Sequence, residues 1–200
     1  MIRLLNILSI SIALAAPTLA HSAEVGAPAP GFTATDSNGK IQTLAQYQGK
    51  HVVLEWLNYD CPFVKKHYGA KNMQSLQKTY TGKGVVWLSV ISSGKGQQGN
   101  FPAAKVNQMS AERGASPSAI LLDSKGEIGR SYGAKTTPHM FVIDPQGKLV
   151  YAGAIDDKPT SDAEDIAGAK NYVAAALDES MAGKPVTVAS TKSYGCGVHY

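Results

Sequence analysis

Only two cysteines, Cys61 and Cys196, occur in the 200 residues of this chain. Arginine is also scarce, because beyond the third residue the sequence holds only Arg113 and Arg130. No basic run alternates with aromatic residues, so nothing in the sequence indicates nucleic-acid binding. No Gly-Lys-Ser/Thr sequence is present either, which excludes a P-loop for nucleotide phosphates.

Long apolar segments are missing from all but the N-terminus. There, Arg3 precedes an apolar stretch over residues 4–16, and small residues follow. This pattern is typical of a secretory signal peptide cleaved after Ala20 or Ala23. The apolar stretch is short for a membrane span, which needs about 20 residues.

We therefore expect a signal peptide over residues 1–23 and one exported domain over residues 24–200, including a C-terminal tail over 184–200. The mature protein should be periplasmic or secreted, without stable insertion into a membrane. Removing Arg3 lowers the formal net charge from +4 to 4 − 1 = +3. In an oxidising compartment, two cysteines can pair and persist as a disulfide.

Strand-like and helix-like segments alternate along the mature chain and predict an α/β fold with a mixed sheet. A hairpin is predicted first, around a turn at residues 37–39. The predicted strands cover residues 51–57, 85–91, 119–123, 140–144 and 148–153. The predicted helices cover residues 62–79, 102–113, 127–133 and 163–183.

Cys61 stands between a predicted strand and the first turn of a predicted helix. A helix N-terminus stabilises a thiolate through unpaired backbone N–H groups and the helix dipole. Lys65, Lys66 and His67 add positive potential, whereas Asp60 opposes it. We expect a reactive thiol here; the alternative is an inert, buried cysteine.

Three segments resemble the redoxin superfamily, which includes thioredoxin-like proteins, alkyl hydroperoxide reductases and peroxiredoxins. They read GAPAPGF, DSNGKIQTLAQYQGKHVVLEWLNYDCPF and TTPHMFVIDPQGKLVYAG. The ending YGCGVHY resembles a peroxiredoxin-like branch with a C-terminal Gly-Cys segment. The resemblance covers nearly all of the mature chain and implies a thioredoxin-like fold: a mixed central sheet flanked by helices, with an N-terminal β-hairpin.

The resemblance also implies roles for individual residues. Cys61 matches the nucleophilic cysteine of the thioredoxin Cys-x-x-Cys motif, and Val64 replaces the second cysteine. Pro138 matches the cis-proline beside the nucleophile, with Thr137 before it. Glu55 matches a buried acid, whose raised pKa would suit it to carry protons for the thiol. The alternative for Glu55 is a partly exposed acid paired with a lysine.

The peroxiredoxin signature, in contrast, is incomplete. It places a proline seven residues and a threonine or serine three residues before the peroxidatic cysteine, where this chain has Leu54 and Asn58. Arg113 and Arg130 both fall in predicted helices, so neither is an obvious activating arginine. A thiol peroxidase is therefore a weaker alternative to an exported thiol-disulfide oxidoreductase that uses Cys61 as its nucleophile.

Cys196 is the only internal thiol that could resolve a mixed disulfide at Cys61. The flanking Gly195 and Gly197 suggest a backbone mobile enough to swing. A bond between the two cysteines would span 196 − 61 = 135 positions. It would be either a redox pair serving a protein disulfide, dithiol substrate or electron donor, or a structural staple for the tail.

A copper-binding or copper-delivery module is a further alternative class. It would use Cys61, Cys196 and either His139 or His199, since thiolate and imidazole suit Cu(I). Cys196 and His199 have the spacing of a metal-binding pair. The favoured oxidoreductase hypothesis needs neither a metal nor a cofactor.

The G-x-G-x-x-G sequence at residues 94–99 resembles a dinucleotide-binding loop, but Pro102 rather than its third glycine opens the next predicted helix. We expect a flexible loop beside the active site instead. Trp56 and Trp87 are predicted in the core, and His67 on the surface.

Overall fold

The structure, a computed structural model, describes residues 23–200. The predicted signal peptide thus lies outside the described residues, except for Ala23. The strands are β1 (Thr33–Thr35), β2 (Ile41–Thr43), β3 (Val52–Trp56), β4 (Val86–Ile91), β5 (Ala119–Leu122), β6 (Thr136–Thr137), β7 (His139–Ile143), β8 (Leu149–Gly153) and β9 (Cys196–Gly197). The helices are α1 (Pro62–Gly69), α2 (Asn72–Gly82), α3 (Ala103–Glu112), α4 (Glu127–Tyr132) and α5 (Tyr172–Met181).

A central sheet of five strands has the order β5-β4-β3-β7-β8. Strands β3, β4 and β5 run parallel, whereas β7 pairs antiparallel with both β3 and β8. Every residue of β3 and β4 is buried, because both faces of the sheet are covered. The predicted α/β fold with a mixed, helix-flanked sheet is confirmed.

The two faces of β3 belong to two separate hydrophobic clusters. Val53 packs with residues of α1, α2, α3 and α5, together with Cys61. Leu54 and Trp56 point to the opposite face, where they meet α4 and the N-terminal segment. Trp56 and Trp87 are both fully buried, as predicted.

The N-terminal hairpin of β1 and β2 forms where it was predicted. The Asp36 carboxylate accepts hydrogen bonds from the backbone N–H groups of Asn38 (2.8 Å) and Lys40 (2.9 Å). Gly39 supplies the positive φ of 78° that the turn requires. The hairpin attaches to the edge of the sheet, where the Ser37 N–H donates to the Ile120 carbonyl.

Two of the predicted helices are interrupted. The helix predicted over 62–79 breaks after Gly69, where Lys71 adopts a left-handed φ of 58°. The helix predicted over 163–183 is a short 3-10 turn, Glu164–Gly168, followed by α5. Helix α5 begins as a separate helix because Asn171 caps its N-terminus: the Asn171 side chain accepts a hydrogen bond from the Ala174 N–H.

The C-terminal tail runs over the surface of the domain and is attached along its length. Near its start, the Ala152 N–H donates to the Ala189 carbonyl beside β8. Near its end, the Gly94 N–H donates to the His199 carbonyl, and the Tyr200 hydroxyl donates to the Ala134 carbonyl at 2.7 Å. The loop at residues 94–99 therefore packs against the tail.

Glycines make room for the tail. A Cβ on Gly126 or Gly129 would lie 2.4 or 2.3 Å from the Tyr200 ring, and one on Gly153 would lie 2.2 Å from the Thr191 hydroxyl. These contacts are far too close for real atoms, so the tail fits only because side chains are missing beneath it. Within residues 23–200, no helix is both long and apolar enough to cross a membrane.

Candidate active site

Cys61 occupies the N-cap position of α1. Its backbone is extended, with φ −66° and ψ 126°, and Pro62 follows as the first helical residue. The Cys61 carbonyl accepts the first helical hydrogen bond from the Lys65 N–H at 2.9 Å. The sulfur therefore lies at the positive end of the helix dipole, as predicted from its place after a strand.

The loop that carries the cis-proline packs directly against Cys61. The peptide bond between Thr137 and Pro138 is cis, and both residues are buried. The Cys61 sulfur lies 3.0 Å from the Thr137 carbonyl oxygen. At this distance the reduced thiol donates a hydrogen bond and the carbonyl oxygen accepts it. The structure thus brings Cys61, Thr137 and Pro138 together.

Cys196 is bonded to Cys61, with 5.9 Å between their Cα atoms. Backbone pairing places it there: β9 runs antiparallel to β6, with Cys196 opposite Thr137 and Gly197 opposite Thr136. Cys61 is only 1% exposed, whereas Cys196 is half-buried. The more exposed cysteine of the pair is therefore the one on the tail.

Gly195 has a purpose that the sequence did not indicate. Its φ is 133°, and a Cβ there would lie 2.1 Å from the Thr137 carbonyl oxygen. The glycine allows two backbones to approach closely. The predicted mobility of this segment stays a prediction.

Glu55 lies in the middle of β3 and is 0% exposed, so the alternative of a partly exposed acid paired with a lysine is wrong. Its carboxylate accepts four hydrogen bonds, which come from α1, α2 and β4. The donors are Tyr68 Oη (2.8 Å), Gln77 Nε2 (3.1 Å), Trp87 Nε1 (2.7 Å) and Ser89 Oγ (3.0 Å). Burial raises the pKa of Glu55, although these donors act in the opposite direction. Glu55 points to the same face of the sheet as Cys61, but no direct hydrogen bond joins the two in the described chain.

His67 was predicted on the surface, and this prediction is wrong. The ring is 0% exposed, with Nδ1 2.9 Å from Asn72 Nδ2 and Nε2 3.2 Å from the Tyr194 hydroxyl. Burial lowers the pKa of His67, so its contribution to the positive potential at Cys61 is reduced. Lys66 is buried as well and donates to the Lys158 carbonyl at 2.8 Å.

Within the described residues, the side chains of the copper hypothesis are not assembled into a metal site. His139 is buried against the Phe141 ring, and its Nδ1 accepts from the Lys135 N–H at 3.2 Å. Residues 23–200 contain no group of three or more His, Cys, Asp or Glu side chains arranged to hold a metal ion. The structure therefore gives the copper hypothesis no ligand set.

His139 should make the stability of the protein depend on pH. Burial lowers the pKa of His139 from 6.5 to about 4, so the folded state holds the ring neutral. The unfolded chain takes up a proton on this ring below pH 6.5, so the contribution of His139 to stability should fall between pH 6.5 and about pH 4, by at most about 3 kcal/mol. Buried His67 adds a loss of the same sign in the same pH range. Urea unfolding of wild type and of His139→Asn at pH 7.5 and pH 4.5 separates the share of His139. His139→Asn, whose side-chain oxygen can accept from the Lys135 N–H, should lose less; an equal loss in both proteins would contradict the assignment.

The two arginines are engaged by aromatic rings. Arg113 stacks over the Tyr59 ring at 4.7 Å and donates to the Met109 carbonyl. Arg130 stacks over the Tyr200 ring at 4.8 Å. Within the described chain neither arginine donates a hydrogen bond to Cys61, which agrees with the incomplete peroxiredoxin signature.

Three residues near the disulfide were missed by sequence reasoning: Asp156, Tyr194 and, in its buried role, His67. Tyr194 stands two residues before Cys196, and its hydroxyl donates to the Asp156 carboxylate. No sequence pattern connects these positions, because they come from three distant segments.

A cysteine at a helix N-terminus, held against a cis-proline beside a mixed five-stranded sheet, defines a redox protein of the thioredoxin-like class. The sequence model of the AhpC/TSA family matches residues 25–152, and the chain belongs to this family.

Relatives and solved structures agree with this class. The chain is 29% identical over 126 residues to the thiol-disulfide oxidoreductase ResA of Geobacillus thermodenitrificans, a match that covers 62% of this chain and 66% of that protein. It is 31% identical over 127 residues to ResA of Bacillus thuringiensis, covering 64% and 68%. The chain thus spans about two thirds of the length of these relatives.

Two crystal structures match over most of the chain. A hypothetical protein from Sinorhizobium meliloti has a TM-score of 0.73 at 25% identity, covering 90% of this chain and 96% of that one. An uncharacterized conserved protein from Geobacillus kaustophilus has a TM-score of 0.74 at 27% identity, covering 88% and 92%. The thioredoxin-like fold is therefore shared over nearly the whole described domain.

Proposed function

We propose that this protein is an exported thiol-disulfide oxidoreductase whose exchanging bond is Cys61–Cys196. The observation that carries the proposal is the position of this bond, at the N-terminus of α1 and against the carbonyl before the cis-proline. The similarity to proteins named thiol-disulfide oxidoreductase supports the same reaction. Export rests on the predicted signal peptide, and the substrate class is a protein disulfide or dithiol.

The reduced protein begins the reaction at Cys61. Its thiolate attacks a substrate disulfide, forming a mixed disulfide with one substrate sulfur and releasing the other as a thiolate. The Cys196 thiolate then attacks the Cys61 sulfur, which releases the remaining substrate thiolate and forms the Cys61–Cys196 bond. The substrate gains two electrons and the protein loses two.

Reduction of the protein should begin at the other sulfur. Cys61 is almost fully covered, so a donor thiolate reaches Cys196 first. Attack there forms a donor–Cys196 mixed disulfide and releases Cys61, whose thiolate the helix terminus stabilises as a leaving group. The second thiol of the donor then attacks the donor sulfur and frees Cys196.

The neighbouring residues have supporting roles in this proposal. Thr137 and Pro138 form the wall beside Cys61, and the edge of β6 is where an extended substrate segment would replace the tail. Glu55 serves the proton transfers of Cys61 from within the sheet, supported by its burial and raised pKa.

The experiment that tests the proposal is a redox titration of the mature protein in glutathione buffers, with alkylation and intact-mass readout. Two alkyl groups should be added only after reduction, and the reduced fraction should change with potential above about −300 mV. A bond that stays oxidised throughout that range would be a structural staple, and the proposal would fail. Rapid consumption of hydrogen peroxide by wild type, but not by Cys61→Ser, would instead identify a peroxidase.

A further inference from the structure

A buried polar cluster connects three distant segments of the chain. The Tyr194 hydroxyl donates to Asp156 Oδ1 and lies 3.2 Å from His67 Nε2. On the other side of the imidazole, Asn72 Nδ2 lies 2.9 Å from His67 Nδ1. His67 and Asp156 are 0% and 2% exposed, so neither is a solvated surface group. The thiol chemistry described above uses none of these side chains.

The cluster ties the tail to the helix that carries Cys61. His67 belongs to α1, Asp156 follows β8, and Tyr194 is two residues before Cys196. The Tyr194 ring also packs on Phe63 of α1, with 5.9 Å between ring centroids, and lies 5.7 Å from Lys66 Nζ. One tail side chain therefore contacts α1 through both its ring and its hydroxyl.

Asp156 depends on the tail for a hydrogen bond. Its Oδ1 accepts from Tyr194 and from the Lys158 N–H, whereas its Oδ2 is buried with no hydrogen-bond partner in the described part of the chain. Oδ2 lies 4.0 Å from His67 Nε2. A buried carboxylate with few donors loses much when one is removed, so the contact holds the tail firmly. Burial raises the pKa of Tyr194, and Asp156 raises it further, so the hydroxyl remains a donor.

We propose that Tyr194 is a positioning residue for Cys196: by binding Asp156 and His67, it holds the tail so that the Cys196 sulfur stays within reach of Cys61. The inference rests on the proposed function, because positioning matters to a bond that is broken and formed again. A docked tail raises the effective concentration of one thiol at the other, and this favours the disulfide over two thiols.

The test compares Tyr194→Phe and Asp156→Asn with wild type in dithiothreitol redox buffers. Tyr194→Phe keeps the ring contact with Phe63 and loses only the hydroxyl. We expect the equilibrium constant for forming the Cys61–Cys196 bond to fall about tenfold in each variant, which makes the reduction potential about 30 mV less negative. Tyr172→Phe, a matched loss of a hydroxyl from a half-buried tyrosine outside the cluster, should leave the potential unchanged.

A merely structural role predicts a different result. If both cluster variants unfold at lower temperature than wild type but keep its potential, the positioning role is overturned. The readout is also independent of substrate. If the variants shift the reduction potential but the wild-type protein reduces no protein disulfide, the positioning role is upheld and the proposed function is rejected. If the wild-type protein is active but the variants leave the potential unchanged, the proposed function is upheld and the positioning role is rejected.

Discussion

Cys61→Ser should reduce the rate of thiol-disulfide exchange to that of the uncatalysed reaction, a loss of at least about a thousandfold. The physical reason is that this sulfur alone combines the helix N-terminus with the wall formed by Thr137 and Pro138. A serine hydroxyl is isosteric but does not ionise near neutral pH, so it cannot attack a disulfide. Turnover of a protein disulfide with dithiothreitol as donor measures the loss.

Cys196→Ser is the matched control for that experiment. It keeps the nucleophile and removes the resolving thiol, so the first attack should occur and then stop. Incubation with glutathione disulfide should add one glutathione to Cys61, visible by intact mass and peptide mapping. Continued turnover by Cys61→Ser at a rate near wild type would show that the chemistry takes place elsewhere.

Loss of the disulfide should cost the fold several kcal/mol, up to about 5 kcal/mol, and this is the second large effect that we expect. The bond closes a loop of 135 positions, and cross-linking a loop of that length restricts the unfolded chain strongly. Urea unfolding of the oxidised protein, with and without a reductant, measures the difference. The reductant should leave the stability of a Cys61→Ser/Cys196→Ser variant unchanged, which makes that variant the control.

A small loss would also be informative. If reduction changed the free energy of unfolding by less than about 1 kcal/mol, the covalent bond would add little to the restriction of the unfolded chain's conformational freedom. That result would contradict the loop-closure estimate.

The sheet and the position of the thiol could be predicted because their signals are local. Apolar runs such as residues 51–57 and 85–91 predicted the buried strands, and the turn at residues 37–39 predicted the hairpin. Cys61 followed from the junction of a strand and a helix. Pro138 could be placed beside it only through the resemblance to a family, since 77 positions separate the two residues in sequence.

The surroundings of the site could not be predicted, because they depend on where the tail goes. His67 looks like a surface residue when α1 is considered alone, and it is buried by Tyr194 and Asp156. Gly195 looks like a flexible residue, and its purpose becomes visible only when β6 lies beside it. The tail carries no periodic pattern, so no local rule gives its path.

Gly126 and Gly129 lie beneath the Tyr200 ring, with no room for even one methyl group. The last residue of the chain therefore limits which amino acids are acceptable more than 70 positions earlier. Loss of the tail would remove this limit from both positions at once, but neither would then accept any residue. Gly126 would keep its positive φ of 69°, and a Cβ on Gly129 would still lie 2.8 Å from the Ser92 hydroxyl. The tail is therefore one of two independent reasons for glycine at each position.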